Sequence, residues 1–284
     1  MRRYLKRMVI FCLIFISPII IMLFLRYQMV NHYSWKLPEK VHVLFMGASH
    51  VCNAIDPSMM ESAENFSRLS ERYMYTYIKL EHILLENSQI DTLFLELAPT
   101  DLWEDTDYKY NDLFEQSGYI GLYWPLFNRE HWKIVLKKPL QTIGYVFKSS
   151  WTDLSDLDYN KWWKHMGGYN KVETIMTAEN VKPLLVAHTG DGHSVNYMFL
   201  RRIISLCKSH NIKLYFIETP TYHPEYHYDQ DYFYNAYRDN FSEVEFLDYS
   251  AWPMSDDERS DEDHLNHKGA VKFTAEIKKR FNIQ

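Results

Sequence analysis

A serine stands where an apolar run of the sequence stops. Residues 43–46 read VLFM, and Gly47-Ala48-Ser49-His50 follows at once, before a polar, turn-prone stretch. A serine hydroxyl is a poor nucleophile until a neighbouring base removes its proton. Ser49 could therefore attack a carbonyl carbon only if the fold brings a histidine to it.

Two histidines are candidates for that base. His50 is adjacent to Ser49, but consecutive side chains usually diverge, and a base must come within about 2.6–3.2 Å of the hydroxyl. His264, in the run SDEDHLNHKG, follows Asp261 by three residues. On a loop that folds back, this spacing lets the carboxylate accept the Nδ1 proton and leaves Nε2 facing the serine. The predicted catalytic residues are Ser49, Asp261 and His264, with Glu262 and Asp263 as alternatives to Asp261.

The elements that must position these side chains alternate between strand-like and helix-like patterns. The predicted strands are residues 40–48, 91–99, 213–220 and 243–250, and the predicted helices are 70–87, 193–209 and 267–281. Such alternation favours an α/β fold, with a mostly parallel sheet covered by helices on both faces.

Polar residues follow or end each predicted strand. They are Ser49-His50, Thr100-Asp101, Thr221-Tyr222-His223 and, within the fourth strand, Asp248. In open parallel sheets, ligands bind outside the carboxyl ends of the strands. We therefore expect a site at this edge, with Asp101, Trp103 and His223 as candidate substrate contacts.

The middle of the chain, residues 101–190, interrupts the alternation. It is rich in aromatic and charged residues, as in DLWEDTDYKYNDLFEQSGYIGLYW. Loops longer than about 15 residues in compact domains are usually functional or disordered, and the many aromatic residues argue against disorder. Two interpretations remain open: an insertion that caps a substrate groove, or amphipathic helices that only pack on the domain.

Residues 8–25 contain no charged side chain, which is close to the length that crosses a bilayer core of about 30 Å. The basic flank before them favours a cytoplasmic N-terminus and places everything after residue 26 outside. The tail RYQMVNHYSW offers no small-x-small cleavage site, which favours an uncleaved anchor over a signal peptide. The predicted organisation is an anchor at 1–27 and one α/β domain at 28–284 that contains the insertion.

Composition excludes some partners and scaffolds. The net charge of -6 provides no basic field for nucleic acid, so we expect no nucleic-acid partner. Of the three cysteines, Cys12 lies in the apolar segment, and Cys52 and Cys207 cannot build a disulfide-dependent scaffold.

The Gly47-Ala48-Ser49-His50 run and the block DEDHLNHKG resemble the two signature blocks of the SGNH (GDSL-type) hydrolase superfamily. The motif resemblance covers residues 41–57 and 258–272, and the order of strands extends it to about 41–284. It implies a flavodoxin-like α/β/α sandwich, with Ser49 as nucleophile, His264 as base and Asp261 as its orienting partner. Ala48, where the family most often has Asp, is similar to membrane-associated, cell-envelope branches of the superfamily.

The family's oxyanion donors are the serine amide, a glycine amide after the second strand and an asparagine side chain after the third. Here Ser67 or Arg68 falls near the glycine position, and no asparagine lies near Thr100-Asp101. The amide of Ser67 could still donate, and Asn53 and Asn65 are other candidate donors. Losing one side-chain donor costs about 2.7–4 kcal/mol of transition-state stabilisation. Weak activity, a different donor and an inactive domain all remain open.

Three further features of the sequence could take part in chemistry. The run at 221–234 concentrates His223, His227, Asp229 and Asp231, but lacks a recognisable metal-ligand pattern, so we expect a polar loop and no metal. Cys52 could serve as a nucleophile with His50, although free cysteine is more often a small packed residue. Glu96 lies inside a strand and needs a partner or a place in the cleft.

Together these features predict a membrane-anchored serine esterase or O-acyltransferase, acting on ester-linked acyl groups, acetyl by family analogy, of a cell-envelope carbohydrate. An activated serine needs no cofactor. The alternative is a catalytically silent domain of the same fold that binds polysaccharide or a membrane partner. The sequence does not separate hydrolase from transferase.

Overall fold

The structure is a computed structural model that describes residues 1–102, 113–155, 166–177, 195–224 and 229–284. The chain forms two compact units. The first unit comprises Met1–Ser34 and Lys109–Trp162, and the second comprises Trp35–Tyr108 and Trp163–Gln284.

The first unit begins with α1 (Arg2–Asn31), which is 30 residues long. This helix is long and apolar enough to cross a membrane. Most of its apolar side chains, such as Phe15 and Ile20, are exposed. The other helices of this unit are α4 (Leu113–Tyr123), α5 (Arg129–Val135) and α6 (Pro139–Ser155), and α6 packs against α1 and α4.

The second unit contains a five-stranded sheet in which every neighbouring pair is parallel. Its strands lie in the order β2-β1-β3-β4-β5, which is the flavodoxin-like order. The bounds are β1 (Val43–Met46), β2 (Ala63–Asn65), β3 (Thr92–Glu96), β4 (Lys213–Glu218) and β5 (Glu245–Asp248).

Two pairs of helices accompany the sheet. The helices α3 (Tyr73–Glu86) and α7 (Val195–Ser209) pack against each other, as do α2 (Ser49–Ala54) and α9 (His267–Phe281). On the α2 and α9 side, Phe45 and Ile217 join Phe273 in one buried apolar cluster. Side chains alternate between faces along a strand, so Leu44 and Phe216, which are also fully buried, point to the other layer.

The register places the strand ends of the sheet together. Met46 is opposite Leu95, Glu96 is opposite Ile217, and Glu218 is opposite Asp248. Glu96, Glu218 and the turn that carries Ser49 therefore meet at the carboxyl edge of the sheet.

The α/β fold predicted from the sequence is confirmed, and all five strands are parallel rather than most of them. In the second unit, three of the described strands and α-helices were not predicted from periodicity: β2, α2 and α8 (Gln230–Phe241). The first two are too short for a periodic pattern, and α8 begins within the run interpreted as a polar loop. Within the 101–190 segment, residues 103–112, 156–165 and 178–190 lie outside the described residues. The anchor and domain boundaries stay a prediction.

Candidate active site

The turn after β1 presents Ser49 as the first residue of α2. Gly47 makes this turn possible, because its φ of +155° is one that residues with a side chain rarely adopt. Space imposes the same choice, since a Cβ added at Gly47 would lie 2.2 Å from the Glu96 Cβ. Ser49 itself is partly exposed.

Glu96, the last residue of β3, holds this turn through its carboxylate. Its Oε2 accepts hydrogen bonds from the amides of Ala48 at 2.8 Å and Val51 at 2.9 Å. The side chain is buried, and burial raises the pKa of Glu96, although His50 and these two amides act in the opposite direction. Glu96 thus finds its hydrogen-bond partners in the backbone amides of this turn.

The second half of the site is the loop between residues 258 and 267. The backbone amides of Asp263 and His264 both donate to Asp261 Oδ1 at 2.9 Å. A bond from the Ser260 amide to the His264 carbonyl, at 2.9 Å, closes the loop from the other side. This tight turn sets the Asp261 carboxylate beside the imidazole of His264.

The three predicted catalytic residues form one hydrogen-bonded chain. His264 Nδ1 lies 2.8 Å from Asp261 Oδ1, and His264 Nε2 lies 2.8 Å from Ser49 Oγ. The carboxylate beside Nδ1 assigns the proton to that nitrogen, so Nε2 accepts from the Ser49 hydroxyl. The arrangement can remove the serine proton as the hydroxyl attacks a carbonyl carbon.

The electrostatics of Asp261 suit an orienting role. Partial burial acts to raise the pKa of Asp261, but the hydrogen bond and charge of His264, with the two backbone amides, lower it. The side chains of His264 and Asp261 remain 22% and 42% exposed. The carboxylate is therefore ionised at neutral pH, at a site that solvent can reach.

Two of the candidate oxyanion donors are already engaged. The Ser67 amide donates to Asn65 Oδ1 at 2.8 Å, and Asn65 Nδ2 donates to the carbonyl oxygens of Val51 and Ile55. Both residues are buried. In this structure they hold the end of β2 against α2 and offer Ser49 no free donor.

Asn53 is bound to a segment that crosses the site region, residues 166–177. Asn170 Nδ2 donates to Asn53 Oδ1 at 2.8 Å, and the Asn170 amide donates to the Cys52 carbonyl at 2.8 Å. Further along, the Met176 amide donates to the Arg259 carbonyl at 2.8 Å. This segment ties the helix that carries Ser49 to the loop that carries His264.

The predicted substrate contacts have different outcomes. Asp101 is buried, and its Oδ2 lies 3.0 Å from the Ala98 amide and 3.2 Å from the Tyr73 hydroxyl, so it stabilises its own turn. His223 is exposed and packs edge-on against Tyr222. Trp103 lies outside the described residues.

His50 does not contact the Ser49 hydroxyl through a hydrogen bond. Its Nδ1 lies 2.8 Å from Glu218 Oε1, at the end of β4, and both side chains are almost fully buried. The ring meets the His264 ring edge-on, with centroids 5.3 Å apart. Sequence reasoning did not select Glu218, and its only signal was an acidic residue at the end of an apolar strand.

The structure also bears on two other candidate sites, a Cys52 nucleophile and a metal site. The Cys52 thiol donates to the Gly168 carbonyl at 3.1 Å, and burial, with Glu96, raises its pKa to about 12. A thiol that stays protonated is a poor nucleophile. Cys52 and Cys207 are both free. Within the described ranges no three metal-ligating side chains cluster, and His227 lies outside them.

Comparison with known proteins finds similarity among solved structures. No protein-family model and no curated protein matches the chain. Among solved structures, the chain is similar to a GDSL-like lipase from Bacteroides thetaiotaomicron, with 11% identity and a TM-score of 0.37 over 90% of this chain and 96% of that chain. Strand order and register define the fold. The distances between its own residues define the site.

Proposed function

We propose that this chain is a membrane-anchored serine esterase or O-acyltransferase, which acts on ester-linked acyl groups, specifically acetyl, of a cell-envelope carbohydrate. The observation that carries the proposal is the contact of 2.8 Å between Ser49 Oγ and His264 Nε2, on a ring whose Nδ1 is held by Asp261.

The reaction follows from this geometry. Ser49 Oγ bonds to the ester carbonyl carbon while its proton moves to His264 Nε2. Collapse of the tetrahedral intermediate breaks the ester bond, and the leaving alcohol takes the proton from His264. Water or a sugar hydroxyl then attacks the acyl-serine by the same steps, so the acceptor alone separates a hydrolase from a transferase.

The membrane part of the proposal is supported by α1 and its charges. The helix is long and apolar enough to span a bilayer, and Arg2, Arg3, Lys6 and Arg7 precede its apolar core. Positive charge beside a first membrane segment favours the cytoplasmic side. The catalytic residues would then lie outside the membrane.

The carbohydrate part is supported by a groove beyond the end of β5. It has a volume of about 550 Å³, and its lining includes Tyr234, Asp248 and Trp252. Aromatic rings that line a groove are suited to a sugar, because they can pack on its apolar face. The Asp248 carboxylate already accepts from the Tyr234 hydroxyl and the Ser250 amide.

The alternative function is a catalytically silent domain that binds polysaccharide or a membrane partner. Two observations favour it: the Ser67 amide is engaged, and the residues that directly follow β3 in the sequence, 97–102, include no asparagine. The assembled Ser49, His264 and Asp261 chain opposes it, because a binding domain does not need an activated serine.

A serine-directed probe tests the proposal on the full chain in detergent. The unaltered protein, Ser49→Ala and His264→Ala are each treated with a fluorophosphonate, and intact mass is measured. We expect a single adduct on the unaltered protein and none on either variant.

The absence of an adduct on folded, unaltered protein would contradict the proposal and favour the binding domain. If the adduct forms, release of acetate from acetylated glycans, with and without an acceptor glycan, distinguishes hydrolase from transferase. Activity confined to short aryl esters would overturn the carbohydrate part.

A further inference from the structure

The proposed reaction needs hydrogen-bond donors for the oxyanion that forms near Ser49. Attack on an ester places negative charge on the carbonyl oxygen, and enzymes stabilise it with preorganised donors. Among the residues predicted for this task, the Ser67 amide donates to Asn65, and the Asn65 side-chain amide donates to the carbonyl oxygens of Val51 and Ile55. The Ser49 amide is the first donor that the family resemblance implies, and a second donor beside it has to come from another residue.

His50 is the candidate for such a donor, because it carries a second ring nitrogen close to the catalytic histidine. It follows Ser49 directly on α2, and its ring lies edge-on to that of His264, which contacts the Ser49 hydroxyl. Its Nδ1 is committed to Glu218. Its Nε2 has no hydrogen-bond partner among the described residues, although the residue is only 8% exposed.

Glu218 fixes the orientation of that ring. Its Oε1 holds His50 Nδ1 at 2.8 Å, while its Oε2 is buried and has no partner among the described residues. The bond to His50 is therefore the only side-chain hydrogen bond that this carboxyl makes there. An imidazole held through one nitrogen has the direction of its other nitrogen fixed as well.

The charges around the pair keep a hydrogen on Nε2. Burial by itself lowers the pKa of His50, but Glu218, with Glu96 and Asp263, raises it to about 10. Burial also raises the pKa of Glu218, while His50 lowers it. Whether the proton between them lies on nitrogen or oxygen, Nε2 carries its own hydrogen and is a donor.

We propose that His50 Nε2–H donates a hydrogen bond to the oxyanion formed when Ser49 attacks its ester, with Glu218 as the residue that positions the ring. This inference rests on the proposed function. His50 keeps its proton throughout: the carbonyl π electrons move to the oxygen on attack and return when the leaving alcohol departs, and His264 alone carries the transferred proton.

Two substitutions separate this role from a structural one. The amide nitrogen of asparagine occupies the position of His Nδ1, so His50→Asn retains a donor to Glu218 but removes the distal donor. Glutamine reaches the position of Nε2, so His50→Gln restores the distal donor. His42→Gln is the matched control, because His42 lies beside the opposite edge of the sheet, where it contacts the Gln89 carbonyl.

The experiment measures kcat and KM for an aryl acetate with the full chain in detergent, with active sites counted by fluorophosphonate. We expect His50→Asn to lower kcat by about 10²- to 10³-fold, the effect of losing one oxyanion donor. KM should change by less than about threefold, and His50→Gln should recover at least about tenfold of the loss. His42→Gln should match the unaltered protein.

Retention of kcat by His50→Asn, or a larger loss in His50→Gln than in His50→Asn, would overturn the inference and make the His50 and Glu218 pair structural. If Ser49→Ala retains activity, the proposed function itself is contradicted. That result is distinct from a failure of the His50 inference alone. A measurement on the unaltered chain tests the inference even if the variants do not fold. With ¹⁵N-labelled histidine, the Nε2–H signal of His50 should move downfield when Ser49 binds a phenylboronic acid, and an unmoved signal would also overturn the inference.

Discussion

Gly47 packs so closely against Glu96 that the glycine position admits no side chain. An added Cβ would lie 2.2 Å from the Glu96 Cβ and 2.8 Å from its Oε2. The same Oε2 accepts the amide hydrogens of Ala48 and Val51. A buried acid on β3 therefore shapes the turn in which β1 delivers Ser49, and the glycine exists to let it approach.

Substitution of Gly47 by alanine should destabilise the fold strongly. The strained φ costs about 1–3 kcal/mol, and overpacking against Glu96 costs a similar amount, so we expect a loss of about 2–5 kcal/mol in the free energy of unfolding. Urea unfolding followed by tryptophan fluorescence measures it. Gly144→Ala is the control, because a Cβ at this helical glycine meets nothing within 4 Å and should stabilise by about 0.5–1 kcal/mol. Equal effects of the two substitutions would contradict the close approach at Gly47.

Asp261→Asn should separate orientation from folding. The asparagine oxygen would keep the hydrogen bonds from the backbone amides of Asp263 and His264, which places the NH2 group, a donor, beside His264 Nδ1. The ring would then favour the tautomer with its proton on Nε2, which no longer accepts from Ser49. We expect kcat for an aryl acetate to fall by about 10²- to 10⁴-fold. The melting temperature should change little, because the side chain is partly exposed. Asp257→Asn, which alters an exposed ion pair with Lys268, is the control and should retain kcat. An Asp261→Asn variant as active as the control would remove Asp261 from the mechanism.

The buried pair of His50 and Glu218 should make stability decrease at alkaline pH. The pKa of His50 is raised from 6.5 to about 10, so the folded chain keeps a proton that the unfolded chain releases. The stability from this proton is complete below about pH 6.5 and is lost as the pH rises towards 10.

Urea midpoints between pH 6 and pH 10 measure this loss. The midpoint of the unaltered chain should fall across the range, and that of His50→Gln should fall less, since glutamine does not titrate. Parallel curves for the two proteins would show that the His50 proton does not contribute.

The proposed topology predicts which part of the chain a protease reaches. In spheroplasts, added protease should digest the region after residue 26 and leave an N-terminal epitope tag intact, because the basic flank favours the cytoplasmic side. Immunoblots with N-terminal and C-terminal tags report the two ends, and a cytoplasmic protein serves as the lysis control. Protection of the C-terminal tag until lysis would reverse the orientation or place the domain inside.

Local features of this protein could be predicted from its amino-acid sequence. Apolar runs and helical spacing marked β1, β3, β4, β5 and the principal helices, since burial of one face imposes a period on neighbouring residues. The apolar segment at 8–25 indicated a helix that could span a membrane. The spacing of Asp261 and His264 indicated their contact, because it is formed within one loop.

Contacts between residues that are far apart in the sequence depend on the tertiary fold. The pairing of His50 with Glu218 joins positions 168 residues apart, and the Glu96 contacts with Ala48 and Val51 join different strand ends. The engagement of the Ser67 amide by Asn65 was also hidden, because it depends on the short strand β2. Periodicity shows which face of an element is buried. Which side chains then face each other is set by strand order and register, and no local pattern records these.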